Sequence, residues 1–130
     1  MKFSLLVLGS PWGGQCADSA WHFARAVVAG GHELYRVFFY HEGIYNGSGS
    51  AVAPPAETDR TRRWTELAGQ HHTDLVLCVA SALKRGLLDE AEADRQGHRA
   101  ASVHPGFTLS GLGQLIDAGA HSDRLITFGD

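Results

Sequence analysis

The chain has 130 residues, 44% hydrophobic and 19% charged, a globular balance for a single domain spanning residues 1–130. Eleven Lys and Arg against fourteen Asp and Glu leave a formal charge of −3. That balance argues against a surface built to grip a phosphate backbone, so direct nucleic-acid binding is not expected.

The first element predicted is a buried strand over Lys2–Leu8, a β-prone apolar run stopped by Gly9-Ser10-Pro11. The apolar run Phe3–Leu8 is too short for a signal h-region of roughly 7–15 residues. No stretch approaches the ~20 apolar residues of a membrane helix, so no membrane association and a cytoplasmic location are expected. In that compartment Cys16 and Cys78 would be reduced thiols. A helix follows, with Ala17, Ala20, Trp21, Ala24, Val27 and Val28 on one stripe and Gly30-Gly31 as its stop. "HELYRVFFY", residues 32–40, reads as a second strand. Asn46–Pro55, rich in Gly, Ser, Ala and Pro, reads as a mobile loop.

Trp64, Leu67 and Ala68 mark a second helix ending near His71-His72, and Leu75–Ala80 a third strand. A short helical piece at Ser81–Arg85 and an acidic one, "LDEAEADRQG", come next. Ser110 is expected to cap a last helix with Leu112, Leu115, Ile116 and Gly119 inward, and Arg124–Phe128 to close the sheet. Strands alternating with helices predict an α/β fold with a parallel sheet covered on both faces. Ligands and reactive groups collect at the C-terminal ends of such strands.

Few residues there carry chemistry. "GSPWGGQC" has the glycine spacing of a phosphate loop at Gly9 and Gly14, but Gln15 and Cys16 stand where lysine and a hydroxyl would be needed, which argues against nucleotide hydrolysis. Cys16, near a helix start, is placed where the dipole favours a thiolate. Cys78 has the surroundings of a core residue, between Leu77 and Val79. It nevertheless lies close to where the chain leaves its strand, with Ser81, Lys84 and Arg85 following as groups that could stabilise an anionic sulfur. His41 and His104 are candidate acid/base groups, His71 and His72 helix-end residues. Arg60, Arg62 and Arg63, like Lys84 and Arg85, read as solvated helix faces. Gly111 and Gly113 in "SGLGQL" suggest close approach of another backbone, from a neighbouring strand or another subunit. No spacing resembles a metal site, and neither metal nor cofactor is expected.

Taken together, "ADSAWHFARA", "GHEL", "RVFFYHEGIYN", "CVASALKRGLLDEAEADRQG", "FTLSGLGQL" and "SDRLITFG", in this order, resemble the DsrE/TusD family of small sulfur-carrier subunits nearly end to end, most of all its TusD branch. The resemblance implies a three-layer α/β/α sandwich with a mostly parallel sheet of about five strands. The strand missing from the reading above would lie in 103–109. It further implies a heterohexamer with two related subunits (TusB/DsrH-like and TusC/DsrF-like), an upstream TusA-like donor and a downstream TusE/DsrC-like acceptor. Cys78 matches the family's persulfide-carrying nucleophile, which overrides the position-based preference for Cys16. The family serves either 2-thiouridine formation at the tRNA wobble position or dissimilatory sulfur oxidation. "GIYN" is more Tus-like and "VHPGF" more Dsr-like. The expected role is tRNA thiolation, with Dsr-type sulfur handling or a non-catalytic structural subunit as alternatives.

Overall fold

The structure, a computed structural model, describes residues 1–129. Five strands, β1 (Lys2–Val7), β2 (Glu33–Phe39), β3 (Asp74–Cys78), β4 (Thr108–Ser110) and β5 (Arg124–Phe128), make one sheet in the order β4-β3-β2-β1-β5. All neighbouring pairs are parallel, so every strand ends at the same edge. The helices are α1 (Cys16–Ala29), α2 (Arg60–His71), α3 (Val79–Lys84), α4 (Glu90–Arg95) and α5 (Gly113–Ala120). A 3-10 helix, His41–Gly47, sits on the end of β2.

Period-two alternation divides the strand residues between two cores. On the first face Leu5, Val7, Val37, Phe39, Leu75 and Leu77 pack with Ala17, Ala20, Ala24 and Val27 of α1 and with Trp64 and Leu67 of α2. Trp64 is fully buried and meets Phe39 edge-on at 5.3 Å. Truncating it to alanine is expected to cost about 3–5 kcal/mol. On the second face Phe38, Val76 and Cys78 form a small cluster closed by Leu6, Tyr40 and Leu115, the last from α5. The three layers are thus unequal, with two long helices on one side and a helix of eight residues on the other.

The expected α/β/α architecture is the one observed, and several local expectations change. The missing strand is β4, at the end of the region where it was sought, and Ser110 is its last residue. Leu112, not Ser110, is the N-cap of the last helix, because Ser110 is held in parallel register with Cys78. The third helix begins at Val79, directly on the strand end. The segment expected to be mobile is tied at its start. Asn46 and Gly47 belong to the 3-10 helix, and Ser48 bridges Val103. Arg60, partly exposed, and Arg63, largely buried, are not a free solvated face, since both reach Asp18 (3.3 and 2.5 Å) and link α2 to α1. Gly111 and Gly113 have no atoms of this chain within 4 Å of where a side chain would start, so no backbone of the same chain explains them.

Candidate functional site at the C-terminal edge of the sheet

β3, "DLVLC", runs into α3 without a loop, so Cys78 is both the last strand residue and the N-cap of a six-residue helix. Its φ and ψ, −60° and 119°, are still extended, while Val79 is already helical. Cys78 is 3% exposed. Its register partner on β4 is Ser110. The β2–β3 register ends at Phe39–Leu77; continued one step past the end of β2 it brings Tyr40 alongside Cys78, and Tyr40 packs on the cluster that contains the cysteine. The nucleophile candidate is therefore flanked on its own face by a phenol and a hydroxyl. Below it, Arg36, Asp74, Val76, Thr108, Ser110 and Gln114 line an open cavity of about 230 Å³. A larger depression of about 700 Å³ lies over Glu90–Ala101 and is not lined by Cys78.

The other expected site residues follow Cys78 closely and have distinct partners. Ser81 is buried, and its Oγ accepts the backbone N–H of His41 at 3.3 Å. Arg85 donates Nε–H to Glu42 Oε1 (2.8 Å) and Nη1–H to the Ser81 carbonyl (3.1 Å), which fastens α3 to the 3-10 helix. Lys84 is exposed at the end of α3. Ser81 and Arg85 thus hold the shell around the cysteine together, and Lys84 is the cation left facing solvent.

Cys16 is differently employed. As the first residue of α1 it donates its thiol hydrogen to the Phe128 carbonyl at 2.9 Å. It packs against Gly9 so tightly that a side chain there would begin 2.6 Å from its Cβ. Both cysteines are free. With β2 and β1 between β3 and β5, they stand more than about 10 Å apart, outside disulfide reach.

Among the histidines, His104 accepts the Gly106 N–H on Nδ1 at 2.9 Å and shapes its own turn. His72 caps α2 with φ 55°, as expected of a helix-end residue. His41 takes φ 50° and stacks on Tyr40 at 4.1 Å, with 12° between the rings. Tyr40, Ser110 and the wholly buried Asn46 escaped sequence reasoning. Asn46 accepts from Trp64 Nε1 (3.2 Å) and donates to the carbonyls of Gly9 (3.1 Å) and Gly43 (2.8 Å), locking the first loop to the 3-10 helix. Alternation in "VFFY" could have placed Tyr40 on the face of Phe38, but only the register of β2 against β3 puts it beside Cys78. Among the described residues, no group of three or more His, Cys, Asp or Glu could hold a metal ion, and no helix is long and apolar enough to cross a membrane.

A family model described as the DsrE/DsrF-like family matches residues 1–128. The chain belongs to that family. It is 47% identical over 130 residues, the whole of both chains, to a protein of Allochromatium vinosum named "Putative sulfurtransferase DsrE". The crystal structure of the ychN protein from E. coli superposes with a TM-score of 0.74 at 17% identity, covering 98% of this chain and 99% of that one. That likeness establishes the fold. The DsrE kinship supports sulfur transfer as the chemistry to test against the geometry.

Proposed function

We propose that this DsrE-family chain is a sulfurtransferase subunit that carries sulfane sulfur as a persulfide on Cys78. The observation that carries the reading is the position of that cysteine: the last residue of a central parallel strand, at the edge where such sheets place their chemistry, in a chain related to DsrE over its full length. Cys16, its thiol donated to a backbone carbonyl, is the structural cysteine of the two.

Two thiolate exchanges make up the proposed chemistry. The Cys78 thiolate attacks the terminal sulfur of a donor persulfide, forming Cys78–S–SH as the donor's own S–S bond breaks and its thiolate leaves. An acceptor thiolate then attacks the terminal sulfur of Cys78–S–SH and releases the Cys78 thiolate. Both steps conserve electrons, and their rates follow thiolate fraction, leaving group and access. Burial of Cys78 suits storage, since it keeps the sulfane sulfur from stray thiols, and it makes exposure a required step of each exchange. Ser81 and Arg85 stabilise the site by holding α3 against the 3-10 helix, and Lys84 offers a cation to an incoming partner.

Companion subunits fit the same reading. Ile116 (73% exposed), Leu112 and Leu125 leave apolar surface on the thinly covered second face, and Gly111 and Gly113 leave room for a foreign backbone. Co-expression with DsrF-like and DsrH-like chains should give a hexamer in native mass spectrometry. Elution as separate monomers would remove the companions from the proposal. For the pathway, 47% identity over the full length to a DsrE-named protein, with the "VHPGF" segment, favours Dsr-type sulfur handling over tRNA thiolation, the more widespread use of such relays. Deleting the gene should then impair sulfur oxidation and leave wobble 2-thiouridine intact. Loss of 2-thiouridine would restore the tRNA reading.

A further inference from the structure

We infer that the Tyr40 ring is the movable cover of the Cys78 thiol and that His41 is the positioning residue that holds it closed. The inference rests on the persulfide reading above and names how access to that site is regulated.

Three observations converge on it. The β2–β3 register, continued one step past Phe39–Leu77, brings Tyr40 alongside Cys78, and Tyr40 packs on the cluster that Cys78 forms with Phe38 and Val76. Its ring meets Phe38 edge-on (6.3 Å, 89°) and is half-buried, so its outer side is available to a second ring. His41 supplies that ring. A residue following Tyr40 in extended backbone would point to the opposite face. The left-handed φ of 50° instead turns the imidazole back onto the phenol, at 4.1 Å and nearly parallel. L-residues avoid this conformation, and it persists only where the surroundings over-determine it. Here Ser81 does so: its buried Oγ accepts the His41 N–H, three residues after the cysteine in the same helix whose N-cap is Cys78. The backbone that turns His41 onto the cover is thereby fastened to the helix that starts at the thiol. The Arg85–Glu42 pair repeats that fastening one turn further on.

The exposed side of the pair is His41, which is open to solvent. A partner that displaces or stacks on the imidazole releases Tyr40, and the phenol swings off the sulfur without unfolding the strand. Cys78 would then open by a local route that costs less than global unfolding.

The test is the rate of iodoacetamide labelling at Cys78 in a Cys16→Ser background, with urea midpoints recorded for each variant. Tyr40→Ala should speed labelling about tenfold or more, and His41→Gly and His41→Asn each about threefold or more, beyond what their stability changes predict. Tyr40→Phe should keep the protection. Glycine and asparagine both tolerate the left-handed backbone, so a shared acceleration reports loss of the ring. Val27→Ala, a destabilising change on the other face, should accelerate labelling only as far as its midpoint shift predicts. Should Tyr40→Ala fail to fold, Tyr40→Leu serves in its place. Equal labelling in wild type and Tyr40→Ala (or Tyr40→Leu in its place), acceleration by glycine but not asparagine, or acceleration that tracks stability alone would each overturn the inference. Labelling needs no sulfur donor, so a failed cover and a failed persulfide carrier give separable results.

Discussion

Asn46 joins the first loop, the 3-10 helix and α2 through one side chain. It satisfies the indole of Trp64 and ties the carbonyls of Gly9 and Gly43 to one buried amide. Replacing it with alanine leaves those partners unpaired in the core, and a loss of about 1–3 kcal/mol is expected in urea unfolding. A loss below a few tenths would mean that water replaces the amide. Gly43 is constrained by close approach, because a side chain there would begin 2.2 Å from the Val7 carbonyl oxygen. Gly43→Ala is therefore expected to destabilise by at least about 2–3 kcal/mol, the upper range for overpacking, since backbone must move to admit it. A near-neutral result would show that the 3-10 helix shifts freely on β1.

At the scale of elements, α5 carries the second face with little apolar burial of its own, and its hold is largely electrostatic. Arg36, with a side chain only 7% exposed, donates to Asp117 (2.7 Å), to the Gln114 carbonyl (2.9 Å) and to Asp74 (2.8 Å). The Tyr35 hydroxyl, donating at 2.7 Å, and then the Arg36 guanidinium hold the Asp117 carboxyl below its ordinary range. The same hydrogen bond raises Tyr35 by keeping its proton in place. Since Asp117 is depressed in the folded chain, its contribution is complete above the unfolded value, about pH 4, and is lost as pH falls through the folded one. Asp117→Asn should accordingly lower the urea midpoint at neutral pH, and the gap to wild type should close on acidification. A gap independent of pH would contradict the assignment. Arg36→Met should cost about 1–2 kcal/mol and speed hydrogen exchange in α5, the modest figure reflecting carboxylates open enough to be resolvated. Unchanged exchange in α5 would show that Leu115 and Ala118 alone hold it.

These two scales also mark what the sequence could disclose. Parallel strands appeared because "SLLVL", "RVFF" and "DLVLC" are apolar on both faces, and α1 because its alanine stripe has helical period. β4 is not legible because three residues carry no periodicity, and Ser110 reads as a cap because a serine before glycine-rich turn residues has the same chemistry in either role. Cys78 was distinguishable from a core cysteine only by family resemblance. Its strand-end position was visible in the chain, whereas its neighbours Tyr40 and Ser110 depend on register, which local patterns do not encode.

For the whole molecule, a fully parallel sheet fixes all five strand ends on one edge, and unequal helical cover leaves the face of Cys78 the thinner one. The proposed storage on a buried sulfur, with release by local opening, would draw on that asymmetry. The most direct measurement is intact and peptide mass after the chain, co-expressed with the proposed companion subunits, is exposed to a persulfide donor, comparing wild type, Cys78→Ser and Cys16→Ser. The account expects one sulfur atom added to the Cys78 peptide, removed by reductant, retained in Cys16→Ser and absent from Cys78→Ser, with assembly intact in both. Added sulfur on the Cys16 peptide, or none on this subunit in an assembled complex, would contradict it.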